Sequence, residues 1–311
     1  MTGPLVLGPE VETAQRDGVP IVALESTIIA HGLPRPRNLE VAGELEELVR
    51  LEGACPATIA VLDGEAHVGL RPDELARVAS DPELRKLGRR DLPVALAAGA
   101  SGATTVSATA WLAATAGIRV FSTGGLGGVH RGYSQSFDES ADLGVLSSTR
   151  ITVVSAGVKS ILDVAATLER LETLSVTVVG FGTGTFPGFY LHSSGHRVDW
   201  RVGTPSQVAE VMCRQDELGI SSAILVANPV PEDQQLSPEL HDRALAGALE
   251  KADREGVTGQ RLTPFLLAEL VRASEGASLE ANLAAVRGNV RLGARIAAAF
   301  SALRHQTGQG A

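Results

Sequence analysis

The chain has 311 residues, 44% of them hydrophobic, and a formal net charge of -9. That length can bury a substantial core, while the excess of acid argues against gripping a nucleic-acid backbone or lying on an anionic membrane. The two cysteines, Cys55 and Cys213, make neither a disulfide framework nor a metal knuckle and read as buried free thiols.

The first residues, MTGPLVLGPEVETAQRDG, lack a basic region followed by an apolar core, and no apolar run is long enough to span a bilayer. A cytoplasmic protein is expected. Further along, short β-rich runs alternate with amphipathic stretches: PIVALES (20–26), ATIAVLD (57–63), LPVALAAG (92–99), IRVFSTG (118–124), ITVVSAG (151–157), SVTVVGFG (175–182) and SAILVANP (222–229) read as strands. Runs that are apolar nearly throughout suit strands covered on both faces, joined by helical crossovers. Helical spacing marks NLEVAGELEELVRLEG and ILDVAATLERLETL. Thr204-Pro205-Ser206-Gln207 predicts a capping box with proline at the first helical position, and Ser237-Pro238 opens another helix in the same way. Roughly the last 50 residues read as wholly helical, covering the sheet or meeting a neighbouring subunit. The expected fold class is α/β, a three-layer α/β/α arrangement with a mainly parallel central sheet and a helical C-terminal segment. No linker or low-complexity stretch divides it, so one catalytic domain over 1–311 is expected.

Ligands of open parallel sheets bind at the carboxyl ends of the strands. The residues that follow the predicted strands are Glu25-Ser26-Thr27, Asp63, Thr123 with GGLGGVHRG, Lys159 and Asn228. Lys159 stands out because the chain has only three lysines (Lys86, Lys159, Lys251) against 24 arginines. A lysine in a desolvating site can lose its proton and attack a carbonyl, which arginine cannot do. Chance survival of a lysine in an arginine-rich chain is the plain alternative.

The other candidates have two readings each. Glu25 is either a catalytic acid or a turn cap paired with an arginine. The loop TGGLGGVHRG places His130 where a dinucleotide fingerprint needs its third glycine, which disfavours nicotinamide and leaves a backbone cradle for phosphate. Asp138 and Asp142 are four apart and expected on one helix face, as a solvated helix start or a site for a hard metal and sugar hydroxyls. Lys86, ahead of Arg89-Arg90-Asp91, is a phosphate anchor or part of a surface ion-pair cluster. Two carboxylates could serve an ordinary glycosidase, but Lys159 would then have no role. An iminium on lysine supplies the electron sink that breaking a carbon–carbon bond requires.

The segments ALESTIIAHGLPRPRN, ATIAVLDGEAHVGL, RRDLP, ASGATTVSAT, VFSTGGLGGVHRG, SFDESADL, AGVKSILD, VANPVPE and TPFLL, from about Val19 to the final helix, together resemble the pseudouridine-5'-phosphate glycosidases, also called the indigoidine synthase A-like family. The resemblance implies reversible cleavage of the C–C glycosidic bond of pseudouridine 5'-phosphate into uracil and ribose 5-phosphate, by a homotrimer carrying Mn2+ in each subunit. It implies that Glu25 is the proton donor opening the ribose ring and Lys159 the nucleophile forming the ribose imine. Lys86, Val106 and the Ser140-Ala141-Asp142 segment would contact substrate, and Asp138 would be the manganese ligand, with waters completing the shell. Thr123, His130 and Asn282 match further site positions, Asn282 facing the base. Two positions, Gly184 and Gln260, depart from the family pattern. The family also includes enzymes that attach ribose 5-phosphate to an aromatic polyketide in alnumycin-type biosynthesis, which is the alternative reaction. From other classes, a Schiff-base aldolase needs only Lys159 and the glycine loop, and a sugar-phosphate sensor needs no turnover.

Overall fold

Alternation within the strands sets the layers of this protein. In a computed structural model that describes residues 5–306, the strands are β1 (Leu5–Leu7), β2 (Ile21–Glu25), β3 (Cys55–Leu62), β4 (Glu65–Val68), β5 (Arg85–Leu87), β6 (Gly102–Thr104), β7 (Val120–Ser122), β8 (Thr152–Ser155), β9 (Thr177–Phe181), β10 (Trp200–Val202) and β11 (Ile224–Ala227). They join in one sheet of order β1-β4-β3-β2-β7-β8-β11-β9-β10, with β6 pairing both β3 and β5. All pairings are parallel except β3 with β4 and β3 with β6.

The helices are α1 (Pro9–Asp17), α2 (Arg37–Leu51), α3 (Pro72–Ser80), α4 (Leu92–Ala97), α5 (Val106–Thr115), α6 (Tyr133–Ser136), α7 (Ala141–Leu146), α8 (Val164–Thr173), α9 (Pro205–Glu217), α10 (Pro238–Arg254), α11 (Leu262–Ala273) and α12 (Ala277–Gln306). On one face Val22, Leu24, Val120, Val154, Ile224 and Val226 pack under α2, α9 and α12. Their strand neighbours Ala23, Phe121, Val153, Leu225 and Ala227 point the other way, into a core shared with α1, α5, α7, α8 and α10. Period-two side chains with both faces apolar are what a covered parallel sheet requires, and the three-layer α/β/α expectation holds.

Two expectations about helix starts hold in detail. Thr204 accepts the Gln207 N–H while Gln207 reaches back to the Thr204 N–H, and Ser237 accepts the Leu240 N–H ahead of Pro238. The C-terminal segment is helical, broken between α11 and α12, and α12 covers the sheet.

One predicted strand is wrong: LPVALAAG forms α4. Pro93 sits in its first turn, Leu92 and Ala95 are buried one helical turn apart, and Val94 is exposed. A short apolar run carries too little period to separate strand from helix, and proline with alanines suits a helix start. The thiols also differ from expectation: Cys55 is buried, and burial pushes its thiol up to about 12, whereas Cys213 is only half-buried. Among the described residues no helix is long and apolar enough to cross a membrane.

Candidate active site

β2 ends at Glu25, and the chain is pinned as it leaves the sheet. Ser26 Oγ donates to Ile59 O at 2.6 Å and accepts the Thr104 N–H at 2.9 Å. Glu25 is only 8% exposed, so its carboxylate needs partners. Thr27 Oγ1 donates to one oxygen and Thr123 Oγ1 to the other. Thr123 follows β7 and continues its ladder, its N–H donating to Val154 O at 3.0 Å.

Lys159 follows β8. Its N–H donates to Leu126 O, and the Leu126 N–H donates to Gly157 O, both at 3.0 Å. The lysine loop and the glycine-rich loop are thus laced together. Gly157 has φ +84, and a Cβ there would come 2.5 Å from Pro187 O, so this turn requires glycine. The glycine-rich loop has less to offer a phosphate than its sequence suggests. The N–H groups of Leu126, Gly127, Val129 and His130 already donate to Gly157 O, Asp142, Thr167 and Asp138 O respectively.

Lys86, on β5, keeps exposed surface. Desolvation first, then the like charge of Lys159, lower its pKa from the ordinary lysine value, with Asp142 and Glu25 opposing. These four charged groups are therefore close enough to act on one another. His130 is lowered chiefly by burial, with Asp138 raising it and Lys159 and Lys86 lowering it further.

Asp138 and Asp142 do not share a helix face. The helix begins between them: Ser140 is the N-cap of α7 and accepts the Asp142 N–H, which leaves Asp138 in the preceding loop. Asp142 is 5% exposed and caps two backbone groups, the Ser107 N–H in the first turn of α5 at 2.8 Å and the Gly127 N–H at 2.9 Å. Val106, the first residue of α5, is buried beside it. Asp142 thereby fixes two loops of the pocket, and Ala141 next to it is exposed.

No group of three or more His, Cys, Asp or Glu side chains is arranged to hold a metal among the described residues. Asp138 is half-buried, and its carboxylate lies in the field of His130. One such carboxylate suits a hard cation that keeps most of its water. On α12, Asn282 Oδ1 is buried and has no hydrogen-bond partner among the described residues, and a Cβ on Gly124 would lie 3.0 Å from it. An acceptor left open over the glycine loop suits the N–H of a ligand.

Two residues expected on the rim do other work. Asp63 lies four residues beyond Ile59, the partner of Glu25 in the β2–β3 register. It is exposed, held by Arg77 at 2.6 Å, and this guanidinium drops its carboxyl to about 2. Asn228 is bonded to Asn289 rather than presented to the pocket. Sequence reasoning missed three residues here. His31 is lowered by burial and then by Lys86, while Ser107 and Asn289 act through bonds to Asp142 and Thr123. The signal for His31 was its closeness to Glu25 in STIIAHG. For Asn289 it was a mid-helix asparagine one heptad after Asn282.

The family model described as indigoidine synthase A like protein matches residues 10–299. A relative from Streptomyces griseus named pseudouridine-5'-phosphate glycosidase is 66% identical over 300 residues, covering 96% of this chain and 93% of that one. The crystal structure of the prealnumycin C-glycosynthase AlnA in complex with ribulose 5-phosphate superposes with a TM-score of 0.90 at 35% identity, covering 97% of this chain and 98% of that one. An indigoidine synthase A-like protein from Thermotoga maritima gives 0.88 at 38% identity, with the same coverage of both chains.

Proposed function

This chain belongs to the indigoidine synthase A-like family, and from that premise we propose that it reversibly cleaves the C–C glycosidic bond of pseudouridine 5'-phosphate, giving uracil and ribose 5-phosphate through an imine on Lys159. The observation that carries the reading is that one loop holds both groups, Thr123 donating to the Glu25 carboxylate and Leu126 accepting the Lys159 N–H, with Lys86 in the field of both.

Each group has a task. Glu25, held between two hydroxyls, delivers a proton to the ring oxygen, and the C1'–O4' bond opens. A protonated Glu25 requires one threonine to turn and accept, which a hydroxyl can do. Lys159 Nζ bonds to C1' of the opened sugar. The C1'–C5 bond then breaks: its electron pair leaves with the uracil ring, C5 takes a proton, and the nitrogen lone pair closes the C=N bond. Water hydrolyses the imine and releases ribose 5-phosphate. Lys86, with the His130 imidazole near it, is suited to the substrate phosphate. Asn282 would accept from a ring N–H of the base.

Manganese belongs to the same proposal. Asp138 would hold it with waters, and the ion would supply positive charge beside the sugar phosphate. The family resemblance supports a homotrimer, a cytoplasmic setting and a single catalytic domain.

Attachment of ribose 5-phosphate to an aromatic acceptor is the second reading, favoured by the likeness to the prealnumycin enzyme. Both readings use the imine. The test is incubation with ribose 5-phosphate and Mn2+, reduction with borohydride, and intact-protein mass, with Lys159→Arg alongside. A ribose phosphate adduct on the wild type that is absent from the variant is expected, and no adduct would sink the mechanism. Uracil incorporation into pseudouridine 5'-phosphate then separates the first reading from the second.

A further inference from the structure

We propose that Asn289 is a positioning residue for this reaction, acting through Thr123 to aim the Glu25 carboxyl. The inference rests on the reading of Glu25 as the acid.

Asn289 sits within α12 among Val286, Val290 and Leu283, and its exposure is 0%. An amide buried so completely among apolar residues is costly unless all its polar atoms are paired. Here they are paired to the strand ends that build the site. Nδ2 donates to Thr123 O at 2.7 Å, with Gly124 O at 3.4 Å, and Oδ1 accepts from Asn228 Nδ2 at 2.9 Å. The backbone carbonyl of Asn289 accepts from Ser122 Oγ at 3.1 Å. The amide orientation follows from chemistry, since a carbonyl such as Thr123 O can only accept.

The topology gives this bonding its meaning. In the order β2-β7-β8-β11, Asn289 grips the ends of β7 and β11, which flank the end of β8 that carries the Lys159 loop. Backbone bonds complete the lock: Ala156 N–H to Gly124 O and Asn228 N–H to Ser155 O, both at 2.9 Å. α12 comes this close because residue 293 is glycine, where a Cβ would fall 2.0 Å from Ser122 Oγ. Thr123 is thus held from behind by Asn289 through its carbonyl, while its hydroxyl reaches forward to Glu25. Asn289 is too deeply buried to touch substrate, so its influence must pass through Thr123.

The test is steady-state turnover of pseudouridine 5'-phosphate by Asn289→Ala, Thr123→Val and the double variant, with amide hydrogen exchange on the same proteins. Small misplacements of a catalytic group cost on the order of tenfold to a hundredfold in rate, so kcat of Asn289→Ala should fall by that amount with KM near the wild-type value. The double variant should be no slower than Thr123→Val alone, because residues acting along one chain of contacts do not add. The amides of Thr123 and Ala156 should exchange faster in Asn289→Ala while those of β3 are unchanged. An unchanged kcat, or effects that multiply in the double variant, overturns the proposal. Should Asn289→Ala fail to fold, Asn228→Ala, which removes the donor that orients the amide, must show the same pattern in smaller measure, or the proposal falls. A wild type without turnover would instead remove the functional reading. Exchange at Thr123 and Ala156 then decides about Asn289 by itself, unchanged rates overturning the inference.

Discussion

Lys86 shows how one side chain reports on its whole surroundings. In the free protein its pKa is lowered, by lost hydration first and Lys159 second, so more of it is neutral in mildly alkaline solution than of an ordinary lysine with its value near 10.5. A phosphate dianion beside it stabilises the charged form and raises its pKa again. Ligand binding at pH 9 should therefore take protons up. Ribitol 5-phosphate is the suitable probe, since it has no carbonyl and cannot form an imine. Titration calorimetry in buffers of different ionisation heat should show this uptake for the wild type and its loss in Lys86→Gln. Equal uptake in both would mean that the phosphate lies elsewhere.

At the scale of elements, α2 and α12 are joined by three arginine–glutamate pairs: Arg37 with Glu280 at 2.6 Å, Arg287 with Glu44 at 2.7 Å and Arg295 with Glu52 at 2.8 Å. Each pair is separated by 243 positions, so the helices run parallel in a fixed register, with Val41, Leu45, Val49 and the apolar side of α12 packed beneath. The hydrophobic contact supplies most of the attraction, and the charges select the register. Pairs as exposed as these contribute about 0.2–1 kcal/mol each. Arg287→Glu should destabilise the protein by roughly 1 kcal/mol through repulsion from Glu44, and adding Glu44→Arg should recover much of the loss. Thermal denaturation at low salt and in 1 M salt measures both, and high salt should shrink the effect because exposed charges are screened.

Over the whole molecule one sheet runs continuously from β1 to β10, with α12 contacting elements across its centre. Such a body should unfold as one unit. Its two tryptophans report different places, Trp111 on α5 and Trp200 on the edge strand β10. Their fluorescence and far-ultraviolet circular dichroism should follow the same urea transition, whereas separate midpoints would mean that the β10 edge opens by itself. The central strands were legible in the sequence because residues such as Ile224 and Leu225 are buried on opposite faces, which produces unbroken apolar runs. The short strands β1, β5 and β10, three residues each, have too little length to show a period. The positions of Glu25, Thr123 and Lys159 were legible because a polar residue after an apolar run marks a strand end. The separate tasks of Asp138 and Asp142 were not, since a spacing of four does not reveal where a helix starts. Asn289 was hard to read for a different reason: its partner Thr123 lies 166 positions away, and its spacing of one heptad from Asn282 was the one local sign.

That separation also bears on how the protein is made. Glu25, Lys86, Thr123 and Lys159 all precede α12 in the chain. Until it has emerged from the ribosome, the face that α2 and α9 also pack against lacks its third helix, and the ends of β7 and β11 lack the amide that joins them. A growing chain can therefore hold both its lysine and its acid and still be unable to aim one at the other, so the site becomes competent only once α12 is in place.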